Sequence, residues 1–104
     1  LESRQLKRIA RRAGAGLARL GAYYGNGSGD IALAFSTACK IAHFEESDFI
    51  ACDILKEDKI DVLFQAAAET TQEAVLNAMI ASPAMRGRGR SKRPSLADWL
   101  DGCA

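Results

Sequence analysis

A hydroxyl and a carboxylate two residues apart, Ser28 and Asp30, lie in Asn26-Gly27-Ser28-Gly29-Asp30, directly ahead of the apolar run Ile31 to Phe35. Residues i and i+2 entering a strand project from the same side, so one small patch can present both groups. Gly29 between them leaves its backbone N–H approachable, and Asn26 adds a side-chain amide. A serine hydroxyl attacking an amide needs a proton acceptor, an oriented hydrogen-bond partner and oxyanion donors, and such a patch could supply the last two. On these residues alone, an ordinary polar turn before a strand is the better account. Cys39 and His43 stand four apart, but with no third ligand nearby they read as loop residues. Neither a metal nor any other cofactor is expected.

The elements that would position this patch follow from periodicity. Leu6, Ile9, Ala10, Ala13, Leu17 and Leu20 recur at three-and-four spacing and predict a helix over 3–20. Its basic residues fall on the other faces and read as a solvated outer surface, with Ser3 as N-cap and Gly21 as C′. The Gly14-Ala15-Gly16 stretch costs helix propensity, about 1 kcal/mol per glycine, which points to close packing against a neighbour. Gly25, Gly27 and Gly29 shape the following loop. Residues 30–37 then alternate Ile31, Leu33 and Phe35 against Ala32, Ala34 and Ser36, which predicts a strand buried on both faces. Such a strand cannot be a sheet alone and demands partner strands from elsewhere.

Residues 38–57 read as a connection. From Asp58, the stripe Ile60, Leu63, Phe64, Ala67, Ala68, Thr71, Val75, Ala78 and Met79 predicts a long helix ending before Ser82-Pro83. Residues 86–94 form a basic, glycine-interrupted linker, and 95–101 a short terminal helix that starts on Ser95 and Asp98 and is anchored by Trp99.

With 104 residues the chain is no more than one domain, and a net charge of +1 supplies no global field toward nucleic acid or membrane. No apolar run spans a bilayer. Cys39, Cys52 and Cys103 form no Cys-x-x-Cys pair, so free thiols in a reducing, cytoplasmic compartment are expected. The chain begins at Leu rather than Met and reads as a piece of a longer product.

Three blocks carry a resemblance: Gln5-Leu6-Lys7-Arg8-Ile9-Ala10-Arg11-Arg12-Ala13-Gly14, Ser28-Gly29-Asp30-Ile31-Ala32-Leu33-Ala34-Phe35-Ser36-Thr37-Ala38, and Glu73-Ala74-Val75-Leu76-Asn77-Ala78. Over residues 3–85 the chain resembles the L-aminopeptidase/D-esterase (DmpA-like) family, which includes the β-aminopeptidases. The resemblance implies a precursor that cuts itself into two chains, the smaller beginning with the nucleophilic serine. That serine lies upstream of Leu1. It also implies an α/β fold, a four-layer α-β-β-α sandwich of which this piece is mostly helical with one buried strand. The whole of 1–104 is then the carboxy-terminal fragment of a single self-processed hydrolase domain, inactive by itself.

The implied activity is release of amino-terminal residues from small peptides, amides or esters through an acyl-enzyme. Ser28 and Asp30 fall where the family's helper Ser-x-acid pair sits, with Gly29 and Asn26 as substrate or oxyanion support. The implied partners are the upstream chain of the same precursor and further two-chain units in a homo-oligomer. Around Ala84-Met85-Arg86-Gly87-Arg88 the chain departs from the family's Met-Thr-Gly-Arg pattern, with Arg86 in place of a hydroxyl. Two other readings remain: an interaction or RNA-binding module using the basic helix and arginine tail, and an acyltransferase on a related fold.

Overall fold

A computed structural model describes residues 1–102. Helix α1 (Ser3–Ala18) starts one residue earlier than the Ser3 cap expected from sequence, because Glu2 takes the N-cap position and its N–H donates to the Gln5 side-chain oxygen at 3.3 Å. It ends as a Schellman motif: Ala22 N–H donates to Leu17 C=O and Gly21 N–H to Ala18 C=O, with Gly21 at φ 94°. Helix α2 (Asp61–Ala81) follows a short 3-10 turn at Glu57–Lys59. At its far end the Ser82 hydroxyl donates back to Ala78 C=O at 2.7 Å, and Pro83 prevents continuation.

The two helices pack in parallel with a constant offset. Arg12 stacks on Phe64, Gly16 meets Ala68, and Arg19 donates to Gln72. A Cβ at Gly16 would lie 2.4 Å from Ala68 O and 2.9 Å from Thr71 Cβ, so only glycine permits this approach. The close packing expected of the α1 glycines is therefore present. Gln5, Gly16, Ile60 and Ala68 are the buried residues of this contact.

The contact corrects the reading of the basic residues as a solvated outer face for Arg8 and Arg12, which are half-buried, whereas Arg4, Lys7, Arg11 and Arg19 are exposed. The guanidinium carbon of Arg12 lies 3.8 Å from the Phe64 ring centroid and that of Arg8 5.1 Å away, a cation–π arrangement that buries the arginine stems. Arg4, at 2.5 Å, and Arg8 both pair with Glu57 ahead of α2. The apolar stripe of α1 looks instead toward residues 30–34, with Leu6, Ala10 and Leu17 lining the clefts between them.

Glu57 is consequently held well below the ordinary carboxylate range, pushed down from 4.5 to about 2, by hydrogen bonds from Arg4 first and Gln5 second. A carboxylate depressed in the folded state lends stability above its unfolded pKa and loses it as pH falls toward the folded one. Stability should therefore decline between pH 4.5 and about 2, and Glu57→Gln should flatten that part of the profile. Urea midpoints measured across the range, in wild type and variant, check this.

Two further expectations fail. Residues 30–37 form no strand among the described residues: Ile31 is 100% exposed, Leu33 87% and Phe35 78%. The alternation is there, but among the described residues no strand pairs with it. The expected free thiols at Cys39 and Cys52 are instead joined in a disulfide, their Cα atoms 5.7 Å apart. Spacing within the sequence could not show this, because the pair closes only when the chain doubles back over residues 40–51. Cys39 and Cys52 therefore give no support to a reducing compartment. Cys103 lies outside the described residues.

Where the sequence reads as a linker, β1 (Met85–Arg86) and β2 (Lys92–Arg93) pair antiparallel. Helix α3 (Leu96–Gly102) follows, its start capped reciprocally by Ser95 and Asp98 at 2.9 and 3.0 Å. Among the described residues, no helix is long and apolar enough to cross a membrane.

Candidate active site

The loop between α1 and residue 30 is built against the helix. Tyr24 adopts φ 55°, which is uncommon outside glycine, and its hydroxyl reaches the bare backbone of Gly14, where a Cβ would stand 2.1 Å away. From there the chain turns once more: Ser28 N–H donates to Gly25 C=O at 2.9 Å, with Asn26 and Gly27 at the corner. Ser28, Gly29 and Asp30 emerge from that turn exposed.

Asp30 borders a cleft of about 450 Å³ between α1 and residues 30–32, whose wall includes Lys7, Arg11, Tyr24 and Thr71. Ser28, Gly29 and Asn26 do not line the cleft and stay on the open side of the loop. Among the described residues, neither the Ser28 hydroxyl nor the Asp30 carboxylate takes part in a side-chain hydrogen bond or ion pair. Both are left with their hydrogen-bonding capacity open. Nothing stands within 4 Å of a Cβ built at Gly27 or Gly29, so a second surface could approach the loop closely there.

Reading the sequence did not single out Lys7, Arg11, Tyr24 or Thr71 as neighbours of Asp30. Lys7 and Arg11 carry a signal in hindsight: at i and i+4 they share one helix face, which flanks the Ala10 edge of the apolar stripe. Tyr24 had none beyond its place beside glycine, because its contact depends on the missing side chain of Gly14.

Compared with known proteins, residues 1–93 match the profile of peptidase family S58. The chain belongs to peptidase family S58. The resemblance carried by the three sequence blocks is thereby borne out. Among curated S58 relatives, the β-peptidyl aminopeptidase BapA of Sphingosinicella microcystinivorans is 41% identical over 83 residues, covering 80% of this chain and 21% of that protein. BapA of Sphingosinicella xenopeptidilytica is 36% identical over 89 residues, covering 85% and 22%. The S58 chain thus spans about a fifth of the length of these relatives. Its fold matches part of the crystal structure of the PH0078 protein from Pyrococcus horikoshii OT3, with TM-score 0.87 and 45% identity over 97% of this chain and 29% of that one.

Proposed function

We propose that this chain is the carboxy-terminal part of the smaller chain of a self-cleaving serine aminopeptidase, acting on small peptides, amides or esters without a metal. One observation carries the reading: the S58 match runs through a loop whose Ser28 hydroxyl and Asp30 carboxylate are exposed and uncommitted. Immediately after them comes an uncovered apolar row, Ile31, Leu33 and Phe35. Such a row needs partner strands, and a four-layer α-β-β-α sandwich completed by the upstream portion supplies them. The same reading has two-chain units assembling further into an oligomer.

In this mechanism the nucleophile is a serine upstream of Leu1, at the new amino terminus of the smaller chain. Its oxygen attacks the substrate carbonyl carbon while its proton passes to its own amine, which then protonates the leaving amine. Water repeats the sequence on the acyl-enzyme and releases the free amino acid. Ser28 hydrogen-bonds the nucleophile or its amine. Asp30 holds that ammonium state, or the substrate's own amino terminus, by opposite charge. Gly29 and Asn26 offer N–H groups as substrate or oxyanion support.

The test is to co-produce the chain with its upstream portion. Intact mass should show two chains, the smaller with serine first, together with hydrolysis of an aminoacyl p-nitroanilide that survives a chelator. An uncut precursor with no hydrolysis would sink the proposal.

A further inference from the structure

The chemistry proposed above makes no use of the segment Met85 to Arg93, which carries Arg86, Arg88, Arg90, Lys92 and Arg93 and no acidic residue. The segment is folded. Met85 stands opposite Arg93 and Arg86 opposite Lys92 across the β1–β2 pair. Gly87 N–H donates to Ser91 C=O at 2.9 Å, and Gly89 makes the reversal at φ 73°, a conformation that favours glycine.

This arrangement sets two cations against each other. Like charges directly opposite on paired strands are destabilising, and among the described residues no ion pair offsets them. Among the described residues, the ion-paired carboxylates are Glu2, Glu57 and Asp58, and none of them faces the hairpin cations. All five cations are exposed. Arg86, Arg90 and Lys92, with Gly89 and Ser91, line an open surface cleft of about 410 Å³. A guanidinium offers a fork of donors to paired oxygens and an ammonium offers a compact charge, the two ways in which proteins hold phosphate.

We propose that the Met85–Arg93 hairpin is a binding site for a small, doubly charged oxyanion of the phosphate class, seated between Arg86 and Lys92 with Arg90 lining the cleft. The anion turns the opposed cations into two charge-assisted hydrogen bonds and relieves their repulsion. RNA is the weaker fit. The segment from Ala84 to Pro94 has no aromatic side chain on which a base could stack, and the cleft is confined to a single turn.

The experiment is a calorimetric titration of the protein co-produced with its upstream portion. Inorganic phosphate is added at an ionic strength held constant with chloride, so that general screening is the same throughout. Saturable binding of one phosphate per smaller chain is expected. Arg86→Gln with Lys92→Gln should weaken it by roughly tenfold or more, whereas Lys92→Arg, which keeps the charge, should leave it within about threefold. Arg90→Gln, a single change on the exposed turn, gives a check that does not rely on the double variant folding and should weaken phosphate by several-fold. Heats without saturation would overturn the site. So would affinity unchanged in both Arg90→Gln and the double variant, or capture of a single-stranded RNA by a protein that ignores phosphate.

Discussion

Asp30→Asn, introduced into the protein co-produced with its upstream portion, should lower turnover of an aminoacyl p-nitroanilide by roughly 100-fold, as should Ser28→Ala. The two effects differ in origin. Asparagine keeps the shape and one hydrogen-bond acceptor but removes the negative charge that holds an ammonium group, so Asp30→Asn should weaken binding and turnover together. Alanine at Ser28 removes one oriented hydroxyl beside the nucleophile, so the loss should fall mainly on kcat. Both residues are exposed and without side-chain partners within the described chain, so neither change should move the thermal midpoint beyond about 0.5 kcal/mol of stability. Unchanged turnover in both variants would remove Ser28 and Asp30 from the site.

The second large effect concerns stability and turns on two glycines that the sequence cannot tell apart. Alanine in a helix interior is favoured over glycine by about 1 kcal/mol, so Gly14→Ala and Gly16→Ala begin with the same gain. At Gly14 the new methyl meets only the Tyr24 side chain, its hydroxyl at 2.1 Å and the adjoining ring carbon at 3.2 Å, the far end of a side chain that can swing aside. At Gly16 it meets the Ala68 carbonyl at 2.4 Å and the Gln72 nitrogen at 3.1 Å, both backbone atoms. Forcing a packed contact apart costs about 1–3 kcal/mol and more for a branched side chain. Gly14→Ala should therefore be close to neutral. Gly16→Ala should lose about 1–2 kcal/mol, and Gly16→Val should lose enough to separate α1 from α2. Urea unfolding of the two alanine variants, side by side, decides between a packed helix pair and a loose one. Gly14→Ala also carries a second readout, since moving Tyr24 disturbs the wall of the cleft beside Asp30.

The extents of both long helices were legible in the amino-acid order to within a few residues, because apolar spacing and end signals act over short range. Which face of α1 meets α2 was not. A contact made by arginine stems, a glutamine and a glycine has no apolar stripe to reveal it, and the stripe that does exist on Leu6, Ala10 and Leu17 faces residues 30–34 instead. The partner that organises Arg4 and Arg8 is Glu57, some fifty positions away, and no local pattern announces such a charge. The disulfide was hidden for the same reason. Of the candidate site, the loop and its Ser-x-Asp pair were visible from residue type, whereas Tyr24 and Thr71 joined Asp30 only through three-dimensional packing. The reading of 30–37 went astray in a different way. The alternation of Ile31, Leu33 and Phe35 states what the segment is suited to, and a strand also requires a paired neighbour, which the described residues do not provide.

That uncovered row has a practical consequence for making the protein. Three bulky side chains in alternation, with unpaired backbone groups beside them, form an adhesive edge open to identical copies. Produced by itself, the chain should clump as it accumulates. On the proposed two-chain assembly, synthesis together with an upstream portion should occupy the edge before it can meet a second copy. Yield in the supernatant, compared between separate and joint expression, then gauges how completely that portion covers it.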